Sequence, residues 1–495
     1  MGRSFSRHYA AMLTADPLLP PAAEAVRLDN HWSSIRRLSA LLVLPIFAAL
    51  FTANPLLTIF SIVTAVALPL VLWRPGEPPV LLFCCGLQWL QVTTVLHYAN
   101  FAGADLVSAF GGNELEMAVA LGLVGLLSLA LGARLGIGRL PLETSHVAEQ
   151  EALRLPIPLT FICFIASFGL SSICKIVSDA VPAVTQALVA VVTIKWALLY
   201  LVCMSAIQQR RHYAFLWAAI GVEFFTGLLG YFSSFKNGFF LLIIVALASR
   251  HLWNVRRVLL AVTVCLILVF TSIIWSAIKE DYRDFLNQGS KMQEEVVPIP
   301  ARIDKLEELV GDLNDEGFFH GVDALIARVG YVTYFALTIG NVPDHLPYEN
   351  GQLWLDAVKH VFMPRAFFPE KGIIDDSART TYYTGVVVAG MEQGTSISIG
   401  YMGESYIDFG PIGMFLPIFL LGLLYGFIYR LFVKYARYKI IGFATATSVL
   451  LFAAYNFETS NVKILGGMLS CAIITGVFIW LGEPLLSRLL RLREK

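Results

Sequence analysis

Long apolar runs separated by short polar breaks fill most of the chain. Read against the roughly 20 residues that carry an α-helix across a bilayer, twelve runs stand out, some of them short. They are 38–53, 56–73, 79–98, 116–135, 156–176, 184–206, 213–231, 238–252, 258–277, 411–429, 440–457 and 464–482. The pattern predicts an all-α polytopic membrane protein of about 12 transmembrane helices. One large extracytoplasmic loop containing amphipathic helices interrupts them at 279–410. The expected divisions are a cytoplasmic arm (1–37), a nine-helix region (38–278), the loop (279–410), a three-helix region (411–482) and a basic cytoplasmic tail (483–495). The first 37 residues precede any apolar run, so no cleavable signal peptide is expected. Their Pro17, Pro20, Pro21 and five arginines read as a solvated arm.

Basic residues supply an orientation. With the N-terminus in the cytoplasm, the inside segments collect 22 Lys and Arg, from Arg3 to Lys495. The short outside loops hold only Lys175, Lys236 and Lys463. That asymmetry obeys the positive-inside rule. Residues 321–340 (GVDALIARVGYVTYFALTIG) are apolar enough to imitate a thirteenth span, but they carry Asp323 and Arg328, and a span here would put Arg430 to Lys439 outside. The segment is read as an amphipathic helix on, or dipping into, the outer face.

Composition agrees. Of 495 residues, 57% are apolar and 15% charged, with mean hydropathy +0.68. A soluble chain carries roughly 25% charged residues. The 36 basic and 36 acidic residues are unevenly placed: the loop has 10 Lys/Arg against 21 Asp/Glu. No basic stripe suggests nucleic acid. The seven cysteines lie within apolar runs and form no CxxC, so neither a disulfide framework nor a metal site is expected.

Two ionisable residues fall mid-span, Lys195 and Glu223. They are a functional pair or a buried structural ion pair between the sixth and seventh helices. Arg134 and Glu458 stand near span ends, where side chains snorkel.

The candidate chemistry gathers on the outer face. Lys236 closes the seventh span in SSFKNG. Lys279, Tyr282 and Arg283 follow the ninth in IKEDYR, and Arg328, Arg365 and Lys371 lie in the loop. Cations retained in an acidic loop beside aromatics and prolines suit an anion. Arginine offers a planar fork to phosphate oxygens and lysine a point charge; ordinary capping and ion pairing with the loop's acids is the plainer explanation of each. Glu404 sits in a glycine-rich segment with Gly394, Gly400, Gly403, Gly410 and Gly413. It is a candidate general base if its surroundings raise its pKa, or else a hydrogen-bonded structural carboxylate. Tyrosines including Tyr282 and Tyr401 could stack on sugars or belong to an interfacial belt. No Walker loop, HExxH, GxSxG or GxGxxG pattern occurs, and no cofactor is expected.

The run MPRAFFPEKG, preceded by YENG and followed by TSISIGYMGESYIDFGPIG, resembles Wzy-type polymerases of bacterial surface polysaccharides, and SSFKNG and IKEDYR look like matching parts. The resemblance covers roughly 230–430 of the chain. It implies a polymerase at the outer face of the bacterial inner membrane that joins oligosaccharide repeat units carried on undecaprenyl diphosphate. A chain-length regulator and a flippase would be its protein partners. The matching positions are Lys236, Lys279, Arg283, Arg365, Lys371 and Glu404. Combined with the residue reading, Glu404, Arg365 and Arg283 are the expected catalytic residues. Lys236, Lys279, Arg328, Lys371, Tyr282 and Tyr401 are the expected substrate contacts. The alternatives are an O-antigen ligase or another lipid-carrier-dependent glycosyltransferase, and a transporter of lipid-linked sugar. A GT-C-type enzyme usually places an acidic motif in its first outer loop, and here that loop is Asn54 and Pro55.

Overall fold

A computed structural model describes residues 43–489, apart from 111–113, 142, 182–183, 232–233, 250–254, 291–294, 364–367, 369, 373, 391–392 and 394. The expected N-terminal arm and Arg365 lie outside the described residues. Among the described residues every regular element is helical. A helical stretch at 43–49 leads into α1 (Pro55–Leu72), α2 (Val80–Phe101), α3 (Leu106–Phe110), α4 (Glu114–Ile137), α5 (Glu143–Arg154), α6 (Ile157–Ala180) and α7 (Thr185–Val192). Then come α8 (Ile194–Gln209), α9 (Tyr213–Leu228), a 3-10 turn (Ser234–Lys236), α10 (Asn237–Ala248) and α11 (Val255–Leu286). The region between the two apolar sets holds α12 (Ile299–Gly311), α13 (Asp315–Val329), α14 (Val332–Asn341), α15 (Gln352–Val361), α16 (Asp376–Thr384) and α17 (Tyr401–Gly413). The chain closes with α18 (Phe415–Tyr435), α19 (Lys439–Ala454) and α20 (Asn461–Leu489).

Lipid offers the backbone no hydrogen bonds, so apolar runs of this length satisfy themselves as helices. Eight helical segments among the described residues are long and apolar enough to cross a membrane. They are α1, α2, α4, Ile157–Ser178, Thr185–Gln209, Ala261–Leu286, α18 and Asn461–Gly482. Three further runs coincide with shorter apolar helices, α9, Ser234–Ala248 and α19. The run at 321–340 is not one straight helix. It divides between α13 and α14, which meet at 56°.

Glycines bring α4 and α18 into backbone contact. A Cβ on Gly132 would stand 2.1 Å from the Phe419 carbonyl oxygen, and one on Gly136 2.2 Å from that of Leu423. From the other helix, a Cβ on Gly422 or Gly426 would stand 2.1 Å from the carbonyl oxygens of Leu129 and Ala133. Two small-xxx-small ridges therefore interlock, the arrangement by which helices associate in lipid without a hydrophobic drive between them. Rising numbers in α4 meet rising numbers in α18, so the two helices run in the same direction.

The segment 279–410 is not a detached unit. Phe335 and Ile339 of α14, and Tyr401, Met402, Tyr406 and Ile407 of α17, belong to the same hydrophobic core as residues of α2, α4, α8, α18 and α19. Two glutamines of α2 show how deep this goes. Gln88 donates to the Ala454 carbonyl at 2.7 Å and accepts from the Tyr401 hydroxyl at 2.7 Å. Gln91 accepts from the Phe457 N–H at 2.8 Å and donates to Glu458 Oε2 at 3.3 Å. Gln91 precedes Phe101, the end of α2, by about 15 Å of helix. The start of α17 and the turn between α19 and α20 are thus recessed halfway down a long apolar helix.

Candidate active site

The recess holds polar side chains that an apolar bundle does not need for packing. Gly400 has φ +92°, and a Cβ on it would stand 2.5 Å from the Phe457 carbonyl oxygen, so a side chain here would separate α17 from the α19–α20 turn. The close approach seats Glu404 in the first turn of α17, 1% exposed. Its Oε2 accepts from the Asn461 N–H at 2.8 Å, the first residue of α20. A helix N-terminus with free N–H groups suits a carboxylate. Arg379 Nη1 stands 3.3 Å from the other oxygen, Oε1. Burial nevertheless dominates and pushes the Glu404 carboxyl up to about 7; Arg379 and the Asn461 N–H oppose the rise, and nearby Asp376 adds to it.

Asp376, 2% exposed, lies beside this carboxylate. Its Oδ2 is 2.6 Å from Lys463 Nζ and accepts from the Ser460 hydroxyl at 3.4 Å. Lys463 also donates to Ser396 Oγ at 3.0 Å. Two ion pairs, Arg379–Glu404 and Lys463–Asp376, therefore meet at the N-terminus of α20, with their carboxylates side by side.

A second, cationic group adjoins the first. Arg328 at the end of α13 lies within electrostatic reach of Lys236, Lys279, Arg283 and Glu458. Arg283 donates to the Tyr231 carbonyl at 3.2 Å and stacks over its ring at 5.0 Å. Glu458 carries a carboxyl pushed above its ordinary range by burial, with Arg328 and Lys236 opposing. Tyr331 links the two groups. Its hydroxyl donates to the Ser398 carbonyl at 2.7 Å, and both Glu458 and Asp376 lie within its electrostatic reach. Among the described residues no cluster of three or more His, Cys, Asp or Glu side chains is placed to hold a metal ion.

Four of the cations singled out in the sequence, Lys236, Lys279, Arg283 and Arg328, are thus brought together. Lys371 is engaged elsewhere, donating to the His360 carbonyl at 2.5 Å. The two tyrosines expected to contact sugar are core residues in this structure. Tyr401 is 1% exposed with its hydroxyl on Gln88, and Tyr282 is 0% exposed with its hydroxyl on the Leu229 carbonyl at 3.2 Å. Glu458 is not at a free helix end; it is held against Gln91 in the recess. Arg379, Asp376 and Asn461 escape a reading of the sequence alone. The available signal is the polar run ETSNVK at 458–463, too rich in hydrogen-bonding groups for a simple turn between two spans.

Residues 94–479 match a family described as a domain of unknown function (DUF8712). The chain belongs to this family. The matched segment contains the charged residues of both polar groups, while Gln88 and Gln91 of the recess lie just before it. No curated protein and no solved structure matches the chain.

Proposed function

We propose that the protein is a polytopic enzyme of the bacterial inner membrane that joins oligosaccharide repeat units, carried on undecaprenyl diphosphate, into a surface polysaccharide at the outer face. The observation that carries this reading is the link that Tyr331 makes between the Arg328 cation group, through Glu458, and the group that holds Asp376 and the buried Glu404, whose carboxyl is raised into the neutral range. Chain transfer needs both features. Glu404 takes the proton of an acceptor hydroxyl, whose oxygen bonds to the anomeric carbon of the donor sugar. The bond from that carbon to the carrier diphosphate breaks, and its electron pair leaves on a diphosphate oxygen. Placed cations stabilise the charge that develops there. The recess keeps the exchange away from bulk water while remaining inside an apolar bundle that a lipid carrier can approach.

The same reading takes twelve spans with both ends cytoplasmic and 279–410 outside, counting as crossings the eight long apolar helices, the shorter helices α9, α10 and α19, and the first apolar run, 38–53. The parallel run of α4 and α18 supports it. With the other spans in place, a crossing by α13 and α14 would reverse α18 against α4. Flippase and chain-length-regulator proteins are the partners this role implies.

Deletion of the gene followed by electrophoresis of surface glycans tests the proposal. A polymerase gives a ladder that collapses to single capped units. Polymer accumulating on the carrier without capped glycan indicates a ligase instead, and an unchanged ladder removes the reading.

A further inference from the structure

We infer that Asp376, Ser460 and Asn461 form a binding site for a neutral polyhydroxyl group, the sugar ring whose hydroxyl accepts the growing chain. Only the word "acceptor" rests on the polymerase reading; the chemistry of the site stands on the side chains. Asn461 is 0% exposed, yet neither Nδ2 nor Oδ1 has a hydrogen-bond partner, and Oδ1 of the buried Asp376 has none either. Buried polar groups are paired in the great majority of cases, and a side-chain amide brings two donors and an acceptor that need partners. Three unmet atoms on two neighbouring residues mark a place where something else completes the bonding.

Charge identifies the class of occupant. Glu404 is opposed by Arg379 and Asp376 by Lys463, so the group is electrically balanced. It offers no net attraction to a cation or an anion, unlike the Arg328 group beside it. What remains free is one carboxylate oxygen, one amide oxygen and one amide nitrogen. Adjacent ring hydroxyls supply the complement, donating to Asp376 Oδ1 and Asn461 Oδ1 and accepting from Asn461 Nδ2. The route in is the Lys463 side. That side chain is half exposed, bridges Asp376 to the exposed Ser396, and caps the cluster toward the surface. The backbone N–H of the same Asn461 holds Glu404 Oε2, so a sugar bound here presents a hydroxyl beside the carboxylate proposed as the base.

The test uses the full-length protein in lipid nanodiscs, titrated calorimetrically with the carrier-free oligosaccharide released by mild acid from the host's lipid-linked pool. Saturable binding by the parent is expected, weakened at least 10-fold in Asn461→Ala and in Asp376→Asn. Because Asn461→Ala removes two unpaired buried atoms, its melting temperature should equal or exceed the parent's. Parent-like affinity in Asn461→Ala overturns the inference. So does a parent protein that does not bind. Should Asn461→Ala not fold, loss of binding by a normally melting Asp376→Asn supports the site, and retained binding sinks it. The glycan ladder is read separately. A collapsed ladder on gene deletion with Asn461-independent binding ends the inference and leaves the polymerase reading. An unchanged ladder with Asn461-dependent binding does the reverse.

Discussion

Lys195 Nζ stands 3.1 Å from both carboxylate oxygens of Glu223, with the hydrogen bond running to Oε2, so helices α8 and α9 are tied by an ion pair inside the apolar bundle. The ammonium also lies 4.5 Å over the Trp196 ring and 4.8 Å over that of Phe168. Among the described residues the partners of the charge are Glu223, Trp196 and Phe168. The pair therefore reads as structural rather than as part of a transport path.

Removing one partner leaves an uncompensated buried charge, which costs about 3–5 kcal/mol. Lys195→Met and Glu223→Gln are each expected to lose stability on that scale. The double variant Lys195→Met/Glu223→Leu should lose much less, because no charge is stranded. Thermal unfolding in detergent measures all three. A double variant that melts like the parent but makes no polymer would return the pair to the mechanism.

The contact between α4 and α18 gives a steric prediction. Any side chain on Gly422 meets the Leu129 carbonyl, and backbone cannot rotate out of the way. Overpacking typically costs about 1–3 kcal/mol, and collision with backbone puts Gly422→Leu at or above the top of that range. Gly169 on α6 has open space around its Cβ position, so Gly169→Leu should be neutral. Comparable melting temperatures for the two variants would mean that the helices do not pack this way.

These cases show what the sequence makes legible. Apolar length announces helices because lipid leaves the backbone no alternative, and Lys195 and Glu223 announce themselves because charge is conspicuous in such runs. The G-x-x-x-G steps at 132–136 and 422–426 are visible as spacing, but only the structure shows that they face each other. Asp376 and Arg379 carry no local signal, since each is an ordinary polar residue in a polar stretch, and Asn461 shows only as part of the polar run at 458–463. They become a site only when α16, α17 and α20 converge. Tyr282 and Tyr401 show the converse: residues that read as interfacial in sequence have hydroxyls bonded inside the core.

Arg328 is the common neighbour of the cation group, so its removal tests the diphosphate role. A hydrogen bond to a charged group contributes about 1.5–3 kcal/mol, roughly 10-fold or more in affinity. Arg328→Gln should raise KM for lipid-linked repeat units by at least that factor with protein levels unchanged. Arg328→Lys should recover part of it, because the charge returns without the planar fork. Initial rates with purified protein provide the measurement. A parent-like KM in Arg328→Gln would dissociate the group from the carrier phosphates.

Glu404 yields a prediction in pH. Burial lifts its carboxyl from the ordinary 4.5 to about 7, so below neutrality the group is protonated and cannot accept a proton. Polymerisation should rise as pH climbs through that value. Glu404→Gln keeps the shape and removes the base, lowering the rate by roughly 10²- to 10⁴-fold. Stability runs the opposite way. Between 4.5 and about 7 the folded form holds a proton that the unfolded chain has released, so stability falls as pH rises through that window. Glu404→Gln should lose that slope as well as the rising limb of activity. Rate and melting temperature, each followed across neutrality in parent and variant, decide the matter. If the slope disappears but the rate survives, Glu404 is a buried structural carboxylate. If the rate falls with the acidic limb intact, the titrating base is another residue.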